Sequence, residues 1–400
     1  MIEVSIESFF SENIKSALKS NPPGEWMTKV PAGCIRLNSG YPSPTHVPVM
    51  PLKTAVAKLF EEEQDLPLHY LGSPRITKLK EQIQKRLAER GIHVSEEELL
   101  ITSGACQAID LIARILIDDK TIVAIETPTY MEALEIFQNY TKSFISIPVD
   151  KYGFDTNRLE EVLAERKSKG LTLPRLLYTI PTFQNPTGTT LTAERRQHLL
   201  ELAAKYNFLI LEDDAYGELS FNKCPIPLKA LDREDRVLHV GSLSKVVAPG
   251  LRIGWAAGAS ELITALAWFK KDLGHPFSHA TTATFLEITD FEKRLKTLRD
   301  AYQEKCTVLI SSLEQYLSEL VSWYVPEGGY FVWVKIPGVD TAQLLTQALV
   351  EGVAFVPGKY FFLNQKDGTE FIRLSFSYAD EKEIVEGIKK LGKAVKSILV

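Results

Sequence analysis

Between Leu99 and Ser242 short apolar runs alternate with stretches of helical periodicity, and this alternation constrains the fold more than any other feature of the chain. Leu99-Leu100-Ile101 leads through Thr102-Ser103-Gly104-Ala105 into a helix carrying Ile109, Ile112, Ile115 and Leu116. A strand over 121–125 ends at Glu126-Thr127-Pro128-Thr129-Tyr130 and is followed by a helix over 131–139. Leu176 to Ile180 ends at Pro181, with a helix over 194–206. Phe208 to Leu211 ends at Glu212-Asp213-Asp214, Val237 to Val240 ends at Ser242, and Ile253 to Ala257 adds one more short strand. Strands buried on both faces read as continuous apolar runs, and helices that return the chain between them cover the sheet. The expected architecture is therefore α/β, a large domain with a mostly parallel sheet covered by helices. Ligands of such sheets collect beyond the carboxyl ends of the strands. Each polar cluster named above falls at such an end.

The last hundred residues follow a different pattern. A long amphipathic helix over 292–317 precedes strands at Tyr330–Val334, Val353–Val356 and Phe371–Phe376, with helices near 341–350 and 380–398. This reads as a smaller α+β domain. The expected division is a large domain over 46–290, and a small domain made of 291–400 and the segment 1–45. Weak helical periodicity over 5–19 stops at Asn21-Pro22-Pro23-Gly24. Asn38-Ser39-Gly40-Tyr41-Pro42-Ser43-Pro44 is loop-like, helices follow at 52–63 and 76–90, and Tyr70 lies in the loop between them.

Composition excludes several classes of function. With 400 residues and 45% hydrophobic content the chain can bury a full core, and its net charge of −5 argues against nucleic acid or a membrane surface as partner. Cys34, Cys106, Cys224 and Cys306 are scattered and form no metal-binding pattern. The acidic start Met1-Ile2-Glu3 is unlike a signal peptide, and no apolar run reaches the roughly 18 residues of a membrane span. A cytoplasmic protein without metal is expected.

Chemistry concentrates around Lys245. It follows the apolar run ending at Ser242 and precedes Pro249-Gly250, in Ser242-Leu243-Ser244-Lys245. Apolar neighbours desolvate the ammonium, lower its pKa and free a neutral amine to attack a carbonyl. Ser242, Ser244 and Arg252 offer the donors that a phosphate dianion needs. An amine nucleophile beside a phosphate cradle suits pyridoxal 5′-phosphate. The backbone of Ser103, Gly104 and Ala105, between a strand and a helix, is a second place for an anion. Asp213, one step beyond Leu209-Ile210-Leu211-Glu212, is a semi-buried carboxylate in need of a cationic or N–H partner, such as a protonated pyridine nitrogen. Alternation along the strand puts Glu212 and Asp214 on the opposite side. Asn185-Pro186-Thr187-Gly188 fixes an amide beyond a strand end, and Tyr216 and Tyr130 bring a hydroxyl and a ring. Arg373, in the apolar run Phe371 to Phe376, makes sense as a fork for a carboxylate.

The order and spacing of these pieces carry a resemblance. Ser-Gly-x-x-Gln, Pro-Thr-Tyr, Asn-Pro-Thr-Gly, Glu-Asp-Asp-x-Tyr, Ser-x-Ser-Lys-x-x-x-Pro-Gly-x-Arg and the late Arg-Leu-Ser-Phe span Gly40 to Phe376. Together they resemble the fold-type I, pyridoxal-phosphate-dependent aminotransferases of class I/II. Within these the chain is most similar to the 2-aminoadipate/kynurenine aminotransferases and to the catalytic-like domain of MocR-type regulators. The resemblance implies transfer of an amino group from an amino acid to a 2-oxo acid such as 2-oxoglutarate. It implies Lys245 as the residue of the internal aldimine and the carrier of the proton, and Asp213 on the pyridine nitrogen. Asn185 and Tyr216 are implied on the phenolic oxygen, and Ser103, Gly104, Ala105, Ser242, Ser244 and Arg252 on the phosphate. Tyr130 is implied over the ring, Arg373 with Asn185 on the substrate α-carboxylate, and Gly40 at the substrate entrance. Tyr70 resembles a tyrosine that reaches the phosphate of a neighbouring subunit, which implies a homodimer with shared active sites.

Three positions depart from the pattern. Arg75 stands where a glycine usually follows the Tyr70 loop, Ala215 replaces a common proline, and Cys106 sits beside the phosphate turn. Trp26, Met27, Lys29 and Tyr41 are candidates for the side-chain pocket, but the residues do not name the donor. A second pyridoxal-phosphate reaction, such as β-elimination, fits the same scaffold. A cofactor-sensing regulator is disfavoured, because the forty residues before Gly40 are too few for a winged helix and linker.

Overall fold

The computed structural model describes residues 6–11, 14, 18, 24, 26, 29–272 and 274–399. Among them eight strands form one sheet: β1 (Leu99–Thr102), β2 (Val123–Thr127), β3 (Phe144–Asp150), β4 (Gly153–Phe154), β5 (Leu176–Thr179), β6 (Leu209–Asp213), β7 (Val237–Ser242) and β8 (Gly254–Ala257). Their lateral order is β1-β8-β7-β6-β5-β2-β3-β4. β3, β2, β5, β6 and β7 run parallel. β8 is antiparallel to both β7 and β1, and β4 folds back on β3. The strands β1, β2, β5, β6 and β7 therefore point the same way, and the polar residues after them meet along one edge.

The helices longer than one turn are α1 (Val49–Glu63), α2 (Arg75–Glu89), α3 (Ala105–Leu116), α4 (Met131–Gln138), α5 (Thr156–Ser168) and α6 (Ala193–Tyr206). After the large sheet come α7 (Ser260–Phe269), α8 (Pro276–Ile288), α9 (Phe291–Leu317), α10 (Thr341–Glu351) and α11 (Glu381–Leu399). Alternate strand residues serve opposite faces, as period-two geometry requires. Leu176, Tyr178, Leu211 and Val240 pack with apolar residues of α3, α4 and α7. Leu177, Ile210 and Val237 pack with Leu159 and Leu163 of α5 and Leu199 and Leu202 of α6. Each fully buried aliphatic side chain contributes roughly 1.5–3 kcal/mol, so burial on two faces fixes the register of the central strands.

A second sheet has four antiparallel strands, β9 (Ser322–Trp323), β10 (Phe331–Lys335), β11 (Val356–Pro357) and β12 (Phe371–Ser375), in the order β9-β10-β12-β11. The run from Val353 to Val356, expected as one strand, is divided. Val353–Ala354 pairs in parallel with Ile35–Arg36, while Val356 joins β12 opposite Arg373. A continuous apolar cluster connects Ile83 of α2, Leu309 of α9, Ile372 of β12 and Ile388 of α11, so the two sheets are bound by shared packing. The division at residues 45/46 and 290/291 remains our proposal.

In the segment expected as a helix over 5–19, Ile6–Phe9 forms one turn of 3-10 helix. Most of the rest of it, residues 21–23 of the chain break and Met27 lie outside the described residues.

Candidate active site

Two adjoining cavities, of about 220 and 320 Å³, open at the carboxyl edge of the large sheet. Lys245, Tyr130, Tyr216, Asn185 and Glu132 line both. Ala105, Asp213, Ser242, Ser244 and Arg252 belong to the smaller one, and Gly40 and Arg373 to the larger. Sequence residues more than three hundred positions apart are thus gathered on one site.

The floor is made by neighbouring strands. Tyr178 of β5 donates its hydroxyl to Oδ2 of Asp213 on β6 at 2.9 Å, while Oδ1 of Asp213 is buried without a partner. Burial pushes the Asp213 carboxyl up to about 6, against the opposing effect of the Tyr178 hydrogen bond. A half-satisfied buried carboxylate is costly in isolation and well suited to an N–H cation brought by a ligand. Its neighbours are engaged elsewhere. Glu212 accepts from the N–H groups of Leu228 and Lys229 and pairs with His239, and Asp214 pairs with Arg90.

Beside β1, Gly104 has φ +88° before α3 begins, a conformation that glycine alone tolerates well. A Cβ there would lie 2.5 Å from Nη2 of Arg252, which donates to the Ser103 carbonyl at 2.8 Å. The Ser103 N–H is taken by Oε1 of Gln107 at 2.8 Å, leaving its hydroxyl for a ligand. Ser242 and Ser244 share a hydroxyl hydrogen bond of 2.8 Å, and the Ser244 N–H donates to Ser242 Oγ at 3.0 Å. Serine hydroxyls, a guanidinium and the first turn of α3 form a donor set for a dianion.

Lys245 donates from Nζ to the carbonyl of Gly40 at 2.9 Å and lies 5.6 and 5.8 Å from the ring centres of Tyr216 and Tyr330. Desolvation, with help from the Arg373 charge, lowers its pKa from the ordinary 10.5 to about 8. The backbone carbonyl of the same lysine accepts the Tyr330 hydroxyl at 2.8 Å, which ties the loop to the second sheet.

Arg373 stands in β12, 4% exposed. Nη1 donates to Oδ1 of Asn185 at 2.9 Å and Nη2 to the Asn38 carbonyl at 3.2 Å, while Nε has no partner. Its guanidinium carbon lies 4.2 Å from the ring centre of Phe331. Burial lowers its pKa to about 10, which leaves it charged near neutrality. Asn185 is held by the loop before it. Gln184 donates from Nε2 to the buried Glu126 at 3.0 Å and to the Pro128 carbonyl at 2.8 Å, and its Oε1 accepts from the N–H and hydroxyl of Thr187.

Some residues were not singled out in the sequence. Tyr178, Phe331 and the Asn38 carbonyl act through pairings that no local pattern announces. Glu132, two residues beyond Tyr130, accepts at Oε2 from the Tyr130 hydroxyl and from the Cys106 thiol, the latter at 3.2 Å. Desolvation first, and then Glu132, push that thiol up to about 12. Trp26 and Tyr41 line the larger cavity, and Lys29 is not among its lining residues. Tyr70 is 81% exposed and lines neither cavity. Arg75, itself buried, pairs with Glu62, Glu63 and Glu287 at the protein surface.

The donor set fits pyridoxal 5′-phosphate: an amine with a depressed pKa, an orphaned carboxylate oxygen, and a phosphate cradle that a Cβ on Gly104 would fill. Comparisons with known proteins agree. A sequence model described as Aminotransferase class I and II matches residues 32–391. The chain is 36% identical over 397 residues to aromatic-amino-acid aminotransferase 1 of Thermococcus litoralis, covering 98% of this chain and 94% of that one. It is 34% identical over 374 residues to the 2-aminoadipate transaminase of Thermus thermophilus, covering 92% and 91%. Its fold matches the crystal structure of Pyrococcus horikoshii kynurenine aminotransferase in complex with PMP, KYN and KYA, with a TM-score of 0.89 and 36% identity over 99% of both chains.

Proposed function

The chain belongs to the class I and II aminotransferases, and on that premise we propose that one cavity takes an amino acid and then 2-oxoglutarate in a ping-pong cycle. The protein is a pyridoxal-phosphate-dependent amino-acid aminotransferase. The observation that carries the assignment of roles is the convergence of Lys245, the free oxygen of Asp213 and the buried guanidinium of Arg373 on adjoining cavities.

When bound, pyridoxal 5′-phosphate supplies a carbonyl for the amino group and a ring that draws electrons from the substrate Cα. In our reading Arg373 binds the α-carboxylate and Asn185 orients it. Nζ of Lys245 takes the proton from Cα and returns it on the cofactor side, a role that its lowered pKa supports. Oδ1 of Asp213 holds a proton on the pyridine nitrogen. Asn185 and Tyr216 hold the phenolic oxygen, Tyr130 covers the ring, and Ser103, Gly104, Ala105, Ser242, Ser244 and Arg252 bind the phosphate. Phe331, which lines the larger cavity against the Arg373 guanidinium, shields that side of the site from water.

Trp26, Tyr41 and Phe331 wall the larger cavity, which suits a donor with a long or aromatic side chain. The names of the relatives, for aromatic amino acids, 2-aminoadipate and kynurenine, support the same class. We further propose a homodimer with shared sites. Tyr70 and its neighbours Leu68 and Leu71 are 81, 66 and 68% exposed, an expensive apolar surface unless a second copy covers it. The four free thiols support a reducing, cytoplasmic setting.

The test is a half-reaction. Cofactor-loaded protein mixed with a donor alone should release one equivalent of oxo acid and stop, with the cofactor absorbance shifted to that of its amine form; 2-oxoglutarate should restore it. Continuous release of ammonia and oxo acid without any acceptor would replace this reading by β-elimination.

A further inference from the structure

An aminotransferase must accept two side chains in turn beside one α-carboxylate clamp. Apart from Lys245 and Arg373, the charged side chains lining the larger cavity are Arg36 and Glu132, one of each sign. They occupy different depths. Arg36 sits on the two-residue strand Ile35–Arg36, is exposed, and has no ion-pair partner among the described residues. Glu132 sits in the first turn of α4, half-buried, and lines the smaller cavity as well. Its Oε2 is fixed by the Tyr130 hydroxyl and the Cys106 thiol, while Oε1 receives no hydrogen bond from the described residues and is not sealed in the interior. Its charge acts on Lys245 and on Arg373 alike, and all three line the larger cavity.

We propose that the side-chain end of this cavity is split by charge. Arg36 at the mouth receives the distal carboxylate of a dicarboxylic substrate, and Glu132 at the inner end repels that carboxylate and accepts an N–H from a donor side chain. The physical ground is that a carboxylate meeting a guanidinium gains a charge-assisted hydrogen bond, whereas a carboxylate meeting a carboxylate in a partly dry cavity is opposed. The two residues thus let acceptor and donor be recognised at separate points while sharing Arg373. The inference rests on the aminotransferase reading and adds the residues that distinguish its two substrates.

Two unreactive probes of equal length separate the effects: glutarate, with a carboxylate at each end, and 4-(dimethylamino)butanoate, whose tertiary ammonium cannot condense with an aldehyde. Each is titrated into the cofactor-loaded protein and its Kd read from the cofactor absorbance or by calorimetry. Arg36→Gln should weaken glutarate by about tenfold and leave the ammonium probe within about twofold, the size of one charge-assisted contact. Glu132→Gln should do the reverse, weakening the ammonium probe by about tenfold and tightening glutarate. In steady state, kcat/KM for 2-oxoglutarate should fall with Arg36→Gln, and a donor without a distal carboxylate should be spared. Equal shifts of both probes in either variant, or no shift in both variants, overturn the proposal. If the wild-type protein binds both probes yet moves no amino group between any donor and acceptor, the aminotransferase reading fails instead, and the crossed pattern still decides the charge split.

Discussion

The hydroxyl of Tyr178 fixes one oxygen of Asp213 at 2.9 Å and leaves the other buried and empty. The two residues lie on adjacent parallel strands whose register pairs Tyr178 with Leu211, two residues before the carboxylate. The orientation of Asp213 is therefore built by the sheet before a ligand arrives. Such preorganisation favours catalysis and burdens the empty fold.

That burden gives a first prediction, on stability. Asp213 titrates near 3.8 when ordinary and near 6 here, chiefly through burial. The folded state then holds its proton to higher pH than the unfolded chain, so this group's contribution falls as pH rises from about 4 to 6 and stays unfavourable above. At about 1.4 kcal/mol per pH unit the ionised form costs on the order of 3 kcal/mol. Asp213→Asn apoprotein should melt higher than wild type at pH 7.5 and show no gain at pH 4. Equal melting temperatures at pH 7.5 would show that water or a local shift satisfies the carboxylate. With cofactor bound the same variant should transaminate slower by roughly 10³-fold.

A second prediction concerns the phosphate turn. Gly104→Ala places a Cβ against the Arg252 guanidinium at a backbone conformation with φ +88°. The strain is about 1–3 kcal/mol, and the displaced guanidinium should weaken cofactor binding. Equilibrium dialysis should give a cofactor Kd raised by roughly tenfold or more, with kcat at saturating cofactor less affected. An unchanged Kd would remove Gly104 and Arg252 from the phosphate site.

A third prediction addresses the carboxylate clamp. Arg373→Lys keeps a charge but loses the fork that spans Asn185 and Asn38, and the guanidinium contact with the Phe331 ring. Both half-reactions should weaken together, each by roughly 2–4 kcal/mol in apparent specificity, while the cofactor spectrum stays close to wild type. Single-turnover kinetics with an amino acid and with 2-oxoglutarate measure this separately. A fall in one half-reaction alone would make Arg373 a reader of one side chain.

Much of the architecture was legible because central parallel strands announce themselves. Leu176–Thr179 and Leu209–Asp213 are buried on both faces, so their runs are apolar and their polar ends stand out. β3 was not legible, since Phe144–Asp150 lies towards the sheet edge and mixes exposed Ser146 and Pro148 with Ile145 and Ile147. Val353–Val356 has the composition of one strand, and only the competing partners Ile35–Arg36 and β12 divide it. In the site, residues that follow a buried strand were readable: Ser103, Asp213 and Lys245 carry their chemistry in a local motif. Glu132, Tyr178 and Phe331 were silent because their roles depend on neighbours brought together by tertiary packing. Glu126 was visible at a strand end, yet its hold on Gln184 depends on how a loop 58 residues later folds back.

The last prediction is the ionisation of Lys245. Burial first, and then the Arg373 charge, lower its pKa to about 8, against the opposite pull of Glu132, Cys106 and Asp213. Near pH 8 about half of this side chain is neutral amine, while an ordinary lysine at 10.5 remains almost wholly protonated. Apoprotein treated with pyridoxal 5′-phosphate and trapped with borohydride should therefore be labelled at Lys245 before any surface lysine. The labelling rate should rise with pH and level off above about 8, and surface lysines should continue to gain towards 10.5. Removing a positive neighbour must favour the ammonium, so Arg373→Met should move the midpoint up; Glu132→Gln should move it down. Each shift should be within about one pH unit, since the larger cause is burial, which neither variant changes greatly. Lys245→Ala should abolish the early label. A peptide map that puts the label on another lysine, or a midpoint that stays near 10.5 in wild type, would remove Lys245 from the centre of the site.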